Sequence, residues 1–301
     1  MAVSGTQQVT YESLDACVEA LARRGMDLEL LQLGPGSGRV SMQTTFCEKL
    51  TLQRVHIDAP AIRRGSLNPD TVSFALWAEN RPREGTWCGQ PIGTAGISVF
   101  PDDFAATGRH HLSGTVIEVE PGHCSATAAL LELDLKAGWR RGTPIYPLPR
   151  SNLSSISRSL SSLETGVGGE NTELSVLAGI VQALSQSQVA RPRASQRAKA
   201  FSAARDHIRN CGSESPSIPA LCRAAGVSLR TLEYAFRERV GMTPVQYLKV
   251  YRLNQVRRIL RKGEVRSVAD AANAWGFWHM GKFAADYRAV YGLNPSGELQ
   301  R

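Results

Sequence analysis

Four side chains in the last third of the chain, Arg230, Glu233, Tyr234 and Arg237, have the types and spacing suited to reading the edge of a base pair. They follow one another at intervals of three, one and three residues, which places them on one side of a helix. From there a guanidinium can donate two hydrogen bonds to a guanine, a carboxylate can accept from a cytosine amine, and a phenol can touch a thymine methyl or a phosphate. Ser228 and Thr231 add hydroxyls at the start of the same segment. A second set, His279, Met280, Gly281, Lys282 and Ala285, is small and poor in donors. It suits phosphate contact and close backbone approach better than base selection.

Other chemistry is thinner. His110, His111, His123, Glu118 and Glu120 are ligand types for a divalent metal, and they raise the alternative of a metal-dependent, cupin-type enzyme in the first half of the chain. Glu118 and Glu120 fall on one strand face while His110 and His111 point oppositely, so the spacing makes no metal motif. His279 has no second ligand four residues on, and neither a Gly-rich phosphate loop nor a nucleophile elbow is present. No catalytic residue, metal ligand or cofactor is therefore assigned. The six cysteines, Cys17, Cys47, Cys88, Cys124, Cys211 and Cys222, lack paired spacing and read as reduced thiols, with Cys222 as a small residue where two helices approach closely. Phe74, Trp77 and Trp87 offer apolar walls, and Arg54, Arg63 or Arg64 could hold an anion. Arg54, Phe74, Trp77 and Trp87 are the candidate effector site, although aromatics in a small β fold also serve as core.

The elements that must position these residues differ between the two halves. Tyr11 to Arg24 has helical spacing, and Gly25 is a stop. Leu28–Leu33, Arg39–Thr45, Leu50–Asp58, Val72–Ala78, Gly96–Phe100 and Leu112–Glu120 read as short strands between Gly, Pro and Asn/Asp turns, which predicts a small sandwich or barrel. Helical spacing returns in Ala126–Lys136 and Asn152–Leu163. In Glu173–Val189, Leu174, Leu177, Val181 and Leu184 form a stripe that is either core packing or a dimer seam. Ala190–Ser195 reads as an exposed linker, and everything beyond it is helical.

That last region carries one pattern twice. Cys222 to Gly226 matches Ala272 to Gly276 at an offset of 50; Leu232, Phe236, Gly241 and Pro244 then match Phe283, Tyr287, Gly292 and Pro295 at an offset of 51, so the second turn has one extra residue. Ser217, Ser228, Thr243 and Ser267 stand where caps are needed, and Pro244 to Lys262 predicts a long connecting helix whose Arg252, Arg257, Arg258 and Arg261 add positive charge. Duplication of a helix-turn-helix implies two groove-reading helices. Charge agrees: residues 190–301 hold 20 Lys and Arg against 8 Asp and Glu, whereas residues 1–189 hold 15 against 19. The second half is the candidate for a polyanionic partner. With no signal-like segment in Met1–Thr10 and no apolar run of membrane length, a cytoplasmic location is expected.

Residues 196–301 resemble the DNA-binding domain of AraC/XylS-type transcription regulators. The likeness is carried by Cys222-Arg-Ala-Ala-Gly226-Val-Ser228, Leu232 and Phe236, Gly241-x-x-Pro244-x-x-Tyr247-Leu248, Arg252-Leu253, and Gly276-Phe277 through Phe283, Tyr287, Gly292 and Pro295-Ser296. The resemblance implies a bacterial regulator, typically an activator, that binds direct-repeat sites near promoters, engages RNA polymerase and forms a homodimer. It implies that Arg230, Glu233 and Tyr234 face bases. Cys222 departs from the family's usual alanine, as does the donor-poor second reading helix. The first 165 residues are similar to the family's sensor domains in size and β-then-helix order, which implies a cupin-like β fold that binds a small effector and dimerises through the following helices. The expected organisation is α+β in two domains: 1–165 β-rich sensor and dimerisation domain, 166–195 helix and linker, 196–301 all-α domain with two helix-turn-helix units on a long helix. A regulator without a small ligand, controlled by a protein partner, is the remaining alternative.

Overall fold

The computed structural model describes residues 5–68, 70–77, 85–92, 95–101, 104–135, 145–186, 196–214 and 216–299. The linker expected at Ala190–Ser195 and the last residues of three expected elements, Ala78, Lys136 and Ser187–Val189, lie outside them.

The first half contains β1 (Gly5–Tyr11), α1 (Leu14–Ala22), β2 (Asp27–Gln32), β3 (Val40–Phe46), β4 (Leu50–Ile57), β5 (Ala61–Ser66), β6 (Val72–Trp77), β7 (Gly85–Trp87), β8 (Gln90–Pro91), β9 (Gly96–Val99), β10 (Phe104–Gly108) and β11 (Leu112–Val119). Then come α2 (Pro121–Leu130), β12 (Tyr146–Pro147), α3 (Arg150–Glu164) and α4 (Glu170–Gln186). The strands pair antiparallel in two sheets, ordered β1-β3-β4-β11-β6-β9-β12 and β2-β5-β10-β7-β8. The sandwich expected from short strands is present. The helix expected from Tyr11 begins only at Leu14, because Tyr11 closes β1 against Val40 and the Ser13 side chain accepts from the Ala16 amide. The helix expected over Ala126–Lys136 instead runs from Pro121 to Leu130, with Pro121 in its first turn.

Strand parity sorts side chains into layers. From β4, Val55 and Ile57 enter the sandwich interior, while Leu50 and Leu52 join Ile117, Val119 and the buried faces of α3 and α4 on the outer side of the larger sheet. Leu177, Val181 and Leu184 are buried there and Leu174 is half-buried, so the stripe serves as core. The smaller sheet alternates likewise. Leu30, Ala61, Phe104 and Ala106 face inward, whereas Leu31, Ile62 and Ala105 face outward into the core of the second half.

That second half consists of α5 (Gln196–Asn210), α6 (Ile218–Ala225), α7 (Leu229–Val240), α8 (Pro244–Arg261), α9 (Val268–Ala274), α10 (Met280–Tyr291) and a 3-10 turn (Pro295–Glu298). Phe236 anchors α7 edge-on to Phe201 and Tyr247, at ring separations of 4.9 and 5.3 Å. Thr243 and Gln246 cap α8 reciprocally.

Candidate nucleic-acid interface

Each reading helix is set by the same local bonds. Ser217 caps α6, which ends where the Gly226 amide donates to the Arg223 carbonyl and the Val227 amide to that of Cys222. In the second unit Ser267 caps α9, and Gly276 and Phe277 repeat the closing bonds to Asn273 and Ala272. Gly226 and Gly276 have φ of 64° and 75°, the left-handed region that costs any residue with a Cβ. Beyond this point the copies diverge. One residue, Val227, separates Gly226 from the cap Ser228, whereas Phe277 and Trp278 separate Gly276 from His279. The extra residue therefore lies in the second turn, which leaves the Trp278 indole 74% exposed.

Leu232, Ala235, Phe236 and Val240 seal one face of α7, and Phe283, Tyr287, Val290 and Tyr291 do the same for α10. The opposite faces are open. Ser228, Arg230, Tyr234 and Arg237 are exposed, with Thr231 and Glu233 half-buried; on the second helix His279, Gly281, Lys282 and Ala285 are exposed and Met280 is half-buried. Arg230 leans over the Tyr234 ring at 5.8 Å, and Arg197 of α5 covers the same ring at 5.1 Å. Arg197 was not legible as part of this face, since it comes from another helix at no fixed sequence spacing. It also pairs with Glu238 at 3.1 Å.

A cleft of about 440 Å³ separates the two units, rimmed by Val245, Lys249, Arg252, Trp278, His279 and Lys282. Lys249 crosses it to Asp286 at 2.6 Å. The side of α8 turned from this cleft meets the β sandwich: the Asn254 side chain accepts from the Gln32 amide at 2.9 Å and donates to the Gln32 carbonyl at 3.1 Å. Two of the cations expected to add free positive charge are spent. Arg257 is buried, bound to Glu298 and Gln32, and Arg261 also binds Glu298, because the 3-10 turn folds its carboxylate back onto α8. Arg258 is exposed and Arg252 half-buried.

The four candidate effector residues are not brought together. Trp77 and Trp87 face the sandwich interior with centroids 5.4 Å apart, next to Phe100 and Phe104. Phe74, three residues from Trp77 on the same strand, points the other way and is sealed against α3 and α4. Arg54 is also on that outer side and forms an ion pair with Glu164. Odd spacing along a strand reverses the face, so grouping residues by their nearness in sequence fails here. Arg63 is the cation that enters the interior, while Arg64 points outward and pairs with Glu29.

The suggested metal ligands are dispersed. His123 Nδ1 lies 3.2 Å from the Lys49 carbonyl oxygen, Glu118 is buried inside the sandwich, and His110 and His111 are exposed. Among the described residues no three His, Cys, Asp or Glu side chains converge. None of the six cysteines forms a disulfide, and burial pushes the thiol of Cys17 up to about 11.

Residues 221–301 match the model of a helix-turn-helix domain family. The chain is 32% identical over 97 residues to a probable thc operon regulatory protein of Rhodococcus erythropolis, covering 32% of this chain and 29% of that protein. It is 33% identical over 117 residues to XylDLEGF operon transcriptional activator 3 of Pseudomonas putida, covering 38% and 35%. The chain thus spans about a third of the length of these curated relatives. Among solved structures, a probable AraC family transcriptional regulator from Rhodopseudomonas palustris CGA009 is 32% identical, with 34% of this chain and 95% of that chain covered and a TM-score of 0.32. The AraC-like transcriptional activator CuxR is 13% identical, with 83% and 94% covered and a TM-score of 0.41.

Proposed function

We propose that this chain, whose residues 221–301 form a helix-turn-helix domain of the AraC/XylS type, is a sequence-specific DNA-binding transcription regulator with an effector-sensing β domain. The observation that carries this reading is the pair of open reading faces, one on α7 and one on α10, in two units joined by one capped helix. The 18 residues of α8 make a rod about 27 Å long. Successive major-groove segments on one side of B-DNA are about 34 Å apart, so the two units have to present their faces to one side of the duplex. The sandwich binds the other side of α8 and uses none of the reading residues among its described contacts.

The two units divide the work. Ser228, Arg230, Thr231, Glu233, Tyr234 and Arg237 supply directional donors and acceptors, so α7 selects bases. His279, Met280, Gly281, Lys282 and Ala285 supply one full charge and small surfaces, so α10 contributes phosphate contacts and shape-dependent readout. The names of the relatives support activation of an operon; RNA polymerase as partner, a homodimer as the working form and the cytoplasm as the location are parts of the same proposal. No helix among the described residues is long and apolar enough to cross a membrane.

The test is selection of duplexes by the full chain, followed by titration of the selected site at increasing salt. Preferred binding to one sequence, with log affinity falling linearly in log salt, is the expected result. Equal affinity for every duplex at every salt concentration rejects the reading.

A further inference from the structure

The interior of the sandwich contains a charge that the fold does not account for. Arg63, on β5, is 8% exposed and lines one cavity with Trp77, Trp87, Phe100 and Phe104. Its guanidinium sits 5.6 Å from the Phe104 ring centre. Among the described residues no carboxylate lies within ion-pair distance of it, and Glu118 acts on it only from farther away. The other buried arginines are matched: Arg64 by Glu29, and Arg257 by Glu298 and Gln32. A desolvated cation left without its counter-charge opposes folding.

A second observation points to the same place. Leu112, Gly114 and Val116 form the inward row of β11, and all three line this cavity. A Cβ on Gly114 would meet nothing within 4 Å. The missing side chain leaves a gap in the wall facing Arg63, at the half-exposed stretch Ser113–Thr115.

We propose that this cavity binds a small organic acid, its carboxylate on the Arg63 guanidinium and its apolar body among the aromatic rings and the Gly114 gap. The assignment rests on the sensor reading of the β domain and narrows it to one ligand class. The space is about 30 Å³ as it stands, close to one water's share, so the carboxylate group fits first and the body extends toward Gly114. The next residue along β5 carries the signal outward. Arg64 lies 5.5 Å over the ring of Tyr247 on α8, whose hydroxyl donates to Glu29 at 3.4 Å. An occupant at Arg63 is thus one residue from the helix that spaces the two reading units.

The test is calorimetric titration and thermal unfolding of the full chain with sodium acetate, butyrate and benzoate, beside butyramide and benzamide as neutral counterparts. At least one acid should saturate and raise the melting temperature, with its amide at least tenfold weaker. Arg63→Met should weaken that acid at least tenfold while raising the melting temperature of the unliganded chain, since it removes a buried unpaired charge. Gly114→Val should fill the gap and weaken the acid likewise, and both variants should still bind the selected duplex as the parent does. The proposal fails if no acid binds, if the amide binds equally, or if Arg63→Met leaves acid binding unchanged. Loss of sequence-specific binding by the parent would instead reject the regulator reading.

Discussion

Arg230 and Lys282 occupy comparable open positions near the starts of their helices, yet their chemistry predicts different losses. Arg230 carries a forked donor, so Arg230→Ala should cost about 1 to 3 kcal/mol on the selected site and relax the preference at one base position, measured by fluorescence anisotropy against a panel of single-base variants. Lys282 is a point charge on a helix with few other donors. Lys282→Ala should weaken all duplexes alike and lower the salt slope by about one. If Arg230→Ala weakens every duplex equally, its role is phosphate contact, and base selection has to be sought in Glu233 and Tyr234. The stacking of Arg230 and Arg197 on Tyr234 has its own consequence at this scale. Tyr234→Ala removes the surface that holds both cations, so it should lower affinity more than loss of a single phenol contact would.

The helix-turn-helix units are written in local signals: caps at Ser217, Ser228 and Ser267, left-handed glycines, and apolar spacing over the following turns. Gly226 tests the strength of one such signal. Its Cβ would meet nothing within 4 Å, so Gly226→Ala should cost only the left-handed backbone penalty, about 1 to 2 kcal/mol in thermal or urea unfolding. A much larger loss would mean that the turn also needs the space. For the same reason, the duplicated domain and the open side of each reading helix were legible in the sequence before any coordinates. The β domain was legible only in part. Strands β2, β3, β4, β6, β9 and β11 are apolar enough to be read, while β5 and β10 are not. Ala61-Ile-Arg-Arg-Gly-Ser66 has two charges at its centre, and Phe104-Ala-Ala-Thr-Gly108 is mostly small residues. Both are strands because their neighbours supply the pairing: β5 pairs with β2 and β10, and β10 also with β7. Two of the four candidate effector residues, Phe74 and Arg54, lie apart from Trp77 and Trp87 for a related cause. Which face Phe74 or Arg54 occupies depends on strand parity, and parity is fixed by partners distant in sequence.

At the scale of the whole molecule the two halves share one core, since Leu31, Ile62 and Ala105 of the smaller sheet pack with α5, α7 and α8. The polar part of this junction ends at Glu298, 2% exposed, which accepts from Arg257 at 2.7 Å and Arg261 at 2.8 Å while Arg257 reaches across to Gln32. Burial acts to raise the Glu298 pKa, but the bonds from Arg261 and the charge of Arg257 outweigh it and hold the carboxyl below its ordinary value. A carboxyl depressed in the folded chain contributes stability that is complete above its unfolded value of about 4.3 and is lost as pH falls through the lower folded value. Glu298→Ala should therefore cost about 3 to 5 kcal/mol at neutral pH, because Arg257 is left buried without its carboxylate. The difference in melting temperature between parent and Glu298→Gln should hold from pH 7 to about pH 5 and shrink below about pH 4, as the parent's own carboxyl takes up a proton. A difference that stays constant down to pH 3 would show that folding does not lower the Glu298 pKa, and the junction would then rest on its apolar contacts and on the pairing of Asn254 with the edge of β2.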